Sequence, residues 1–246
     1  MDPKEFAIQY DIEETHWWFK ARRRLVRRFA EQVREEVGRP LRILDVACAT
    51  AMSFRFLSDL GTIRGLDIST ETIHFAKQRG IDRIVRGDAQ SMPFRDGAFD
   101  LVLALDAFEH FPDDEGSMAE VRRVLDRGGA LICTVPAYRA LWSPHDDAFH
   151  HLRRYTRPEL RGKLQGTTLK VERLSYYSMF LAPPLFVFRK LRSILGRGKE
   201  AKSDFTVKIP RVVEWGLGTL MSIESGLLKR FDLPFGASLI GLSRKS

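Results

Sequence analysis

The chain has 246 residues, with 40 Lys and Arg against 32 Asp and Glu, a formal net charge of +8 and 44% hydrophobic residues. That length holds one α/β unit with additions, and the composition is that of a soluble globular protein. The most apolar run, residues 179–188, is too short to span a bilayer and contains Pro183 and Pro184, which excludes a helical membrane protein; the N-terminus also lacks the apolar core of a secretory signal.

Two cysteines, Cys48 and Cys133, fall in or at the end of predicted strands, and buried reduced thiols in a cytoplasmic protein are expected. The basic excess is concentrated in two places. One block is Arg22, Arg23, Arg24, Arg27 and Arg28; the other is Arg189, Lys190, Arg192, Arg197, Lys199 and Lys202, opposed only by Glu200. Such blocks are solvated helix faces or sites for anionic partners.

In chain order, Trp18, Leu25, Phe29 and Val33 recur at helical spacing and predict a helix over 15–37, ended by Gly38 and Pro40. Residues 41–46 read as a strand, 51–60 as a helix stopped by Gly61, and 62–68 as a second strand. Ser69 or Thr70 can N-cap the next helix, which Gly80 closes. Residues 83–86, 99–105 and 130–135 are three further strands, the last two separated by a helix over 115–125. Beyond Pro136 a helix over 158–165, a strand over 169–174 and a last strand over 238–243 are expected, with two apolar-basic helical stretches between the final two strands.

Strands alternating with helices at this spacing imply a mostly parallel sheet of seven strands with right-handed crossovers, and a ligand at the carboxyl ends of the strands. Asp45, Asp67 and Asp88 fall at or near those ends on three successive strands. The bland reading of each is a helix N-cap. Together they suit a ligand carrying several hydroxyl and amino groups.

The run Ile43-Leu44-Asp45-Val46-Ala47-Cys48-Ala49-Thr50-Ala51 resembles the first motif, D-x-G-x-G-x-G, of the class I S-adenosylmethionine-dependent methyltransferases. Gly65-Leu66-Asp67-Ile68-Ser69, Gly87-Asp88-Ala89-Gln90, Phe99-Asp100-Leu101-Val102, Leu105-Asp106-Ala107-Phe108-Glu109-His110 and Val124-Leu125-Asp126-Arg127-Gly128-Gly129 resemble the later motifs, in order, across residues 41–136. The resemblance implies a Rossmann-like, doubly wound sheet with S-adenosyl-L-methionine as cofactor. It further implies an N-terminal helix (1–40), a cofactor-binding core (41–136), a substrate-side segment (137–177), a helical insertion (178–236) and a last strand (237–246), all in one domain. Segments 15–19, 138–155 and 233–236 resemble a bacterial subgroup of type 11 methyltransferases to which no acceptor attaches.

On this reading Asp45, Ala47, Ala49 and Ala51 surround the amino-acid part of the cofactor. Asp67, about 20 residues beyond the loop, accepts from the ribose hydroxyls, with Ile68 beside it. Asp88 and Ala89 read the adenine, and Leu105 and Asp106 lie beside the reactive methyl. The departure is alanine at all three glycine positions, where a positive φ costs an alanine about 1 kcal/mol or more and added methyls narrow the pocket. Three functional readings stand: a working methyltransferase, a methyltransferase-like binding protein without turnover, and, less favoured, a nucleic-acid binder that uses the Arg22 to Arg28 block.

A hydroxyl nucleophile benefits from a general base, and His145 beside Asp146 is the first candidate, His110 the second. Trp18, Tyr138, Arg153, Arg154 and Tyr155 are candidate acceptor contacts, the arginines as clamps for phosphate or carboxylate. His145, Asp146, Asp147, His150 and His151 share one short loop without a recognised ligand spacing, so no metal is expected. No Asn/Asp-Pro-Pro-aromatic motif follows the fourth strand, which disfavours methylation of base amino groups, and neither cysteine is in a Pro-Cys context, which disfavours a covalent cytosine mechanism. The expected acceptor is small or lipid-linked and can be anionic, with peripheral membrane contact through residues 180–202.

Overall fold

The computed structural model describes residues 3–194, 210–228 and 230–246. Where periodicity predicts one N-terminal helix there are two, α1 (Pro3–Ile12) and α2 (Trp17–Val37). His16, in extended backbone, accepts from the Trp18 N–H and caps α2, and Gly38 at φ +72° closes it with a bond to the Arg34 carbonyl.

The chain continues through β1 (Leu41–Val46), α3 (Ser53–Phe56), β2 (Gly61–Asp67), α4 (Thr70–Gln78), β3 (Ile84–Arg86) and β4 (Phe99–Leu105). The helix expected over 51–60 shrinks to the four residues of α3, because Ala51 lies at φ +57° and Leu57 leaves helical geometry. Ser69 caps α4 through the Glu71 N–H, as its sequence position suggests. Then follow α5 (Asp114–Val124), β5 (Leu125–Pro136), α6 (Pro144–Ala148), α7 (Arg157–Gly166), β6 (Leu169–Tyr177), α8 (Ala182–Ile194), α9 (Arg211–Leu227) and β7 (Ser238–Lys245). Both helical stretches of the insertion form. Leu195, Arg197, Lys199, Glu200 and Lys202 lie outside the described residues.

The seven strands make one sheet in the order β3-β2-β1-β4-β5-β7-β6, in which β7 runs antiparallel to both neighbours. β4, and β5 from Gly129 on, are largely buried and almost wholly apolar, with Asp100 the charged exception, as a sheet covered on both faces requires. The order reverses between β1 and β4, whose pairing sets Val46 level with Ala104, while β1 against β2 sets Val46 level with Leu66. That alignment brings the carboxyl ends of β1, β2 and β4 to one edge, beside the switch point where open α/β sheets bind ligands.

The arginine block of α2 is committed within the chain. Arg22 bonds Asp106, Arg23 the carbonyls of Glu13 and Glu14, Arg24 the Ser222 hydroxyl, Arg27 Glu31 and Asp59, and Arg28 the Ser225 carbonyl. The block therefore fastens α2 to α9 and to the sheet, where the sequence alone leaves an anionic partner open.

Helix α9 carries one further anchor. Buried Glu224 accepts from the N–H groups of Ser178, Met179 (2.8 Å) and Phe180, where the chain leaves β6 toward α8. Burial pushes its carboxyl above the ordinary range, against the pull of those three donors. Glu224→Ala is expected to lower the unfolding free energy by roughly 1–3 kcal/mol, the cost of stranding buried donors. Urea denaturation reads this, with Glu224→Gln losing less; no loss in the alanine variant would contradict the anchor.

Candidate functional site

β1 runs directly into a loop whose three alternate alanines all have left-handed backbone: Ala47 at φ +54°, Ala49 at +46° and Ala51 at +57°. These are conformations that glycine adopts freely and alanine at a cost of about 1 kcal/mol each. Three bonds hold them. The Cys48 N–H donates to the Leu66 carbonyl (3.3 Å), the Ala51 N–H to the Cys48 carbonyl (2.7 Å), and the Ala49 N–H to Asp67 Oδ2 (2.9 Å). The Ala51 methyl is fully buried among apolar neighbours and does not reach the cavity; only Ala47 and Ala49 line it. The expected narrowing thus falls to two methyls.

The N-terminal segment clamps this loop from outside. The Thr50 hydroxyl donates to Glu13, which Arg79 holds at 2.6 Å, and the Arg79 guanidinium lies 4.4 Å from the centre of the Tyr10 ring.

The three strand-end acids differ in surroundings. Asp45 is buried and accepts from the Ser53 hydroxyl; burial, with the charge of Asp67 adding to it, pushes its carboxyl up to about 7 despite that bond. Asp67 accepts one backbone N–H on each oxygen, from Ala49 and from Ser69 (2.9 Å), which leaves each oxygen a free lone pair. Asp88 is exposed and accepts from the Gln90 N–H. Ile68 is 65% exposed at the cavity rim, and Ala89 is buried in its wall.

All but Asp45 open onto one cavity of about 970 Å³; Asp45 faces a small recess of about 50 Å³ under the alanine loop. Ligand sites typically fall at roughly 300–1,000 Å³, and this one lies at the large end of that range. Leu105 and Asp106 sit at its centre. Asp106, at φ +52°, accepts from the Thr134 hydroxyl (3.1 Å) and from Arg22, whose guanidinium lies over the Trp18 ring at 4.8 Å.

The far end of the cavity is built from the 3₁₀ turn Phe108–His110 and the loop around α6. Glu109 is fully buried, and among the described residues neither carboxylate oxygen has a hydrogen-bond partner. Burial pushes its carboxyl well above the ordinary range, and the charge of Asp106 adds to that. His110 is pushed down to about 3 by burial, with His151 beside it, so it stays neutral and is a weak base. His151 Nδ1 lies 2.9 Å from Asp146, and the His145 ring stacks near Phe149 with centres 4.5 Å apart. Arg154 binds both oxygens of Asp146, at 2.7 and 3.0 Å. Burial opposes the charge on Asp146, yet the His151 and Arg154 bonds outweigh it and hold the carboxyl well below the usual range.

Of the residues singled out in the sequence, Trp18, Ala47, Ala49, Asp67, Ile68, Asp88, Ala89, Leu105, Asp106, His110, His145 and Arg154 line this cavity, and Asp45 the recess. Three acceptor candidates are used elsewhere. Tyr138 stacks on Tyr176 with ring centres 5.1 Å apart, Arg153 pairs with Asp114 at 2.7 Å, and Tyr155 is buried with its hydroxyl donating to Asp114. Arg154 reaches the cavity with its charge already committed to Asp146. The sequence reading missed Arg22, hidden in a run of arginines, and Glu109. The Glu109-His110 pair straight after an apolar strand was the available signal for the second.

Residues 44–133 match the model of a family described as a methyltransferase domain. The chain is 32% identical over 114 residues to a demethylmenaquinone methyltransferase of Staphylococcus epidermidis, covering 41% of this chain and 47% of that one. It is 36% identical over 100 residues to phthiotriol/phenolphthiotriol dimycocerosates methyltransferase 1 of Mycobacterium ulcerans, covering 38% and 36%. The matched part thus spans about half the length of these relatives or less. A solved S-adenosylmethionine-dependent methyltransferase of Thermotoga maritima superposes with a TM-score of 0.57 at 16% identity, over 99% of this chain and 96% of that one, and has the same fold.

The loop makes a prediction that separates its alanines. Ala47→Gly with Ala49→Gly relieves left-handed strain and is expected to raise the unfolding free energy by about 1–2 kcal/mol. Ala51→Gly is expected to be close to neutral, because the relief is offset by a lost buried methyl, about 0.8 kcal/mol. Urea midpoints of the variants test this; a double variant less stable than the natural protein would contradict it.

Proposed function

We propose that this chain, which carries a class I methyltransferase domain, transfers a methyl group from S-adenosylmethionine to an oxygen or nitrogen of a small or lipid-linked acceptor. The observation that carries the reading is the convergence of a glycine-like loop with Asp67 and Asp88 on one cavity, with buried Asp45 beneath the loop. The residues present fit the cofactor. The loop keeps left-handed backbone at every position where the family uses glycine, and Asp67 retains free lone pairs for two hydroxyls.

When bound, S-adenosylmethionine supplies an electrophilic methyl on a sulfonium. Asp67 holds the ribose end, with Asp88 and the backbone at Ala89 at the adenine. Asp45, poised near neutrality by burial, returns toward its ordinary range beside a cationic amino group. Leu105 and Asp106 border the reacting end, where Arg22 and Trp18 from α2 exclude water. His145, at the acceptor end and solvent-reachable through the cavity, takes the proton released by a hydroxyl acceptor; His110 is too weak a base for that step.

We read residues 1–246 as one unit whose insertion frames the acceptor side. Leu181, Pro184, Leu185 and Phe188 of the α8 region line the cavity, while Phe186, Val187 and Leu191 point outward with Val212 and Trp215 (75% exposed) of α9. Exposed Lys190 shares α8 with them, while Arg189 turns to the cavity and donates to the Leu141 carbonyl. Exposed apolar side chains beside basic ones suit an anionic membrane surface, from which a lipid-linked acceptor would enter between α8 and the sheet. Among the described residues no helix is long and apolar enough to cross a membrane.

The second reading, a binding protein without turnover, rests on the two alanine methyls that reach the cavity. Incubation with methyl-labelled S-adenosylmethionine and anionic vesicles made from a bacterial lipid extract separates the two. Transfer of label to the organic phase is expected, falling at least about a hundredfold in His145→Ala with cofactor affinity unchanged. An unchanged rate removes His145 as base, and no transfer to lipid or aqueous acceptor pools favours the binding protein.

A further inference from the structure

We propose that Glu109, His110 and His151 form a binding site for a divalent cation of the zinc type at the acceptor end of the cavity. Glu109 and His110 are neighbours in one turn and His151 comes from the loop after α6, which is why ligand spacing along the chain does not reveal the set. Their ligand atoms all lie within 4.8 Å of one another. One carboxylate with two imidazoles is a donor set for zinc, cobalt, manganese or ferrous iron rather than for calcium.

Three observations converge. Glu109 is fully buried with both oxygens unpartnered, a placement that costs free energy unless a cation completes it. His151 has its Nδ1 against Asp146, and an ionised carboxylate can only accept, so Nδ1 carries the proton and Nε2 keeps the lone pair. This is the carboxylate–histidine arrangement that orients metal-bound imidazoles, and Asp146 is itself fixed by Arg154 and by the Ser143 N–H. All three residues line the large cavity, which leaves coordination positions open to a ligand, as catalytic rather than structural sites do.

Ligand atoms around a tetrahedral ion with bonds of 2.0–2.2 Å stand roughly 3.4 Å apart, so the widest pair here would close by about 1.4 Å. A side-chain torsion supplies that. A bound ion would take the oxygen of an incoming hydroxyl and lower its pKa, leaving the proton to a neighbouring base. This use of the ion rests on the methyl-transfer reading; the binding itself does not.

The test uses the full chain, stripped with a chelator, titrated with zinc chloride by calorimetry and with cobalt chloride by visible absorption. One equivalent is expected, with the intense visible bands of four- or five-coordinate cobalt. Glu109→Gln and His151→Ala should each weaken zinc at least a hundredfold. Asp146→Asn, which touches no ion, should weaken it roughly 10- to 100-fold. Circular dichroism checks that each variant folds, and His110→Ala gives the same reading should Glu109→Gln fail. Wild-type affinity in folded Glu109→Gln and His151→Ala, or no saturable zinc binding by natural protein that still binds S-adenosylhomocysteine, would overturn the site. Zinc binding without S-adenosylhomocysteine binding would keep the site and sink the methyl-transfer reading.

Discussion

The hydrogen bond from the Ala49 N–H to the carboxylate of Asp67 ties the loop after β1 to the end of β2, and the ligand edge of the sheet depends on it. Three alanines in left-handed backbone would not persist on local preference. They persist because β1 and β2 are paired in register up to Val46 and Leu66, so that the loop has only this way to turn. The same carboxylate accepts from Ser69 at the start of α4, so one residue fixes loop, strand end and helix start together. The surrounding clamp of Glu13, Thr50 and Arg79 adds a second layer of restraint from the N-terminal helices. Replacement of glycine here changes what the loop costs while leaving its path intact.

At the opposite end of the cavity buried charge sets the arrangement. Asp146 is the hub: it holds Arg154 by both oxygens, orients His151 and caps α6 through Ser143. Asp106 takes Arg22 from α2, which closes the roof of the cavity over the end of β4. Glu109 feels the charges of both ion pairs, and among the described residues it has no donor and is fully buried. A cavity with saturated charges on two sides and an unsatisfied carboxylate in the middle is asymmetric in a way that packing alone does not require. The proposed cation site draws on that asymmetry.

Much of this architecture was legible in the sequence. The seven strands are where apolar runs bounded by Gly, Pro and Asp put them, most within a residue or two, since burial on both faces leaves few other readings of Phe99–Leu105. β5 starts earlier than expected because Leu125 pairs with Phe99 of β4, and β6 runs on because pairing with β7 carries it to Tyr177. The failures have local causes. The helix over 51–60 was read from composition, which does not register that Ala51 turns left-handed. The break before α2 depends on a histidine cap, an unusual residue in that role. At the site, strand-end acids were legible because chain order fixes them. Tyr155 and Arg153 misled because a polar-aromatic cluster looks the same whether it faces a cavity or Asp114.

The most direct test is calorimetric titration of the natural protein with S-adenosylhomocysteine, beside Asp67→Ala and the variant with Ala47, Ala49 and Ala51 all changed to Gly. The structure predicts micromolar binding by the natural protein, at most modestly improved by the glycines and weakened about a hundredfold or more in Asp67→Ala, since each tenfold loss is about 1.4 kcal/mol. No binding by the natural protein, with binding appearing in the glycine variant, would contradict the account and leave a protein that keeps the fold with its cofactor loop closed.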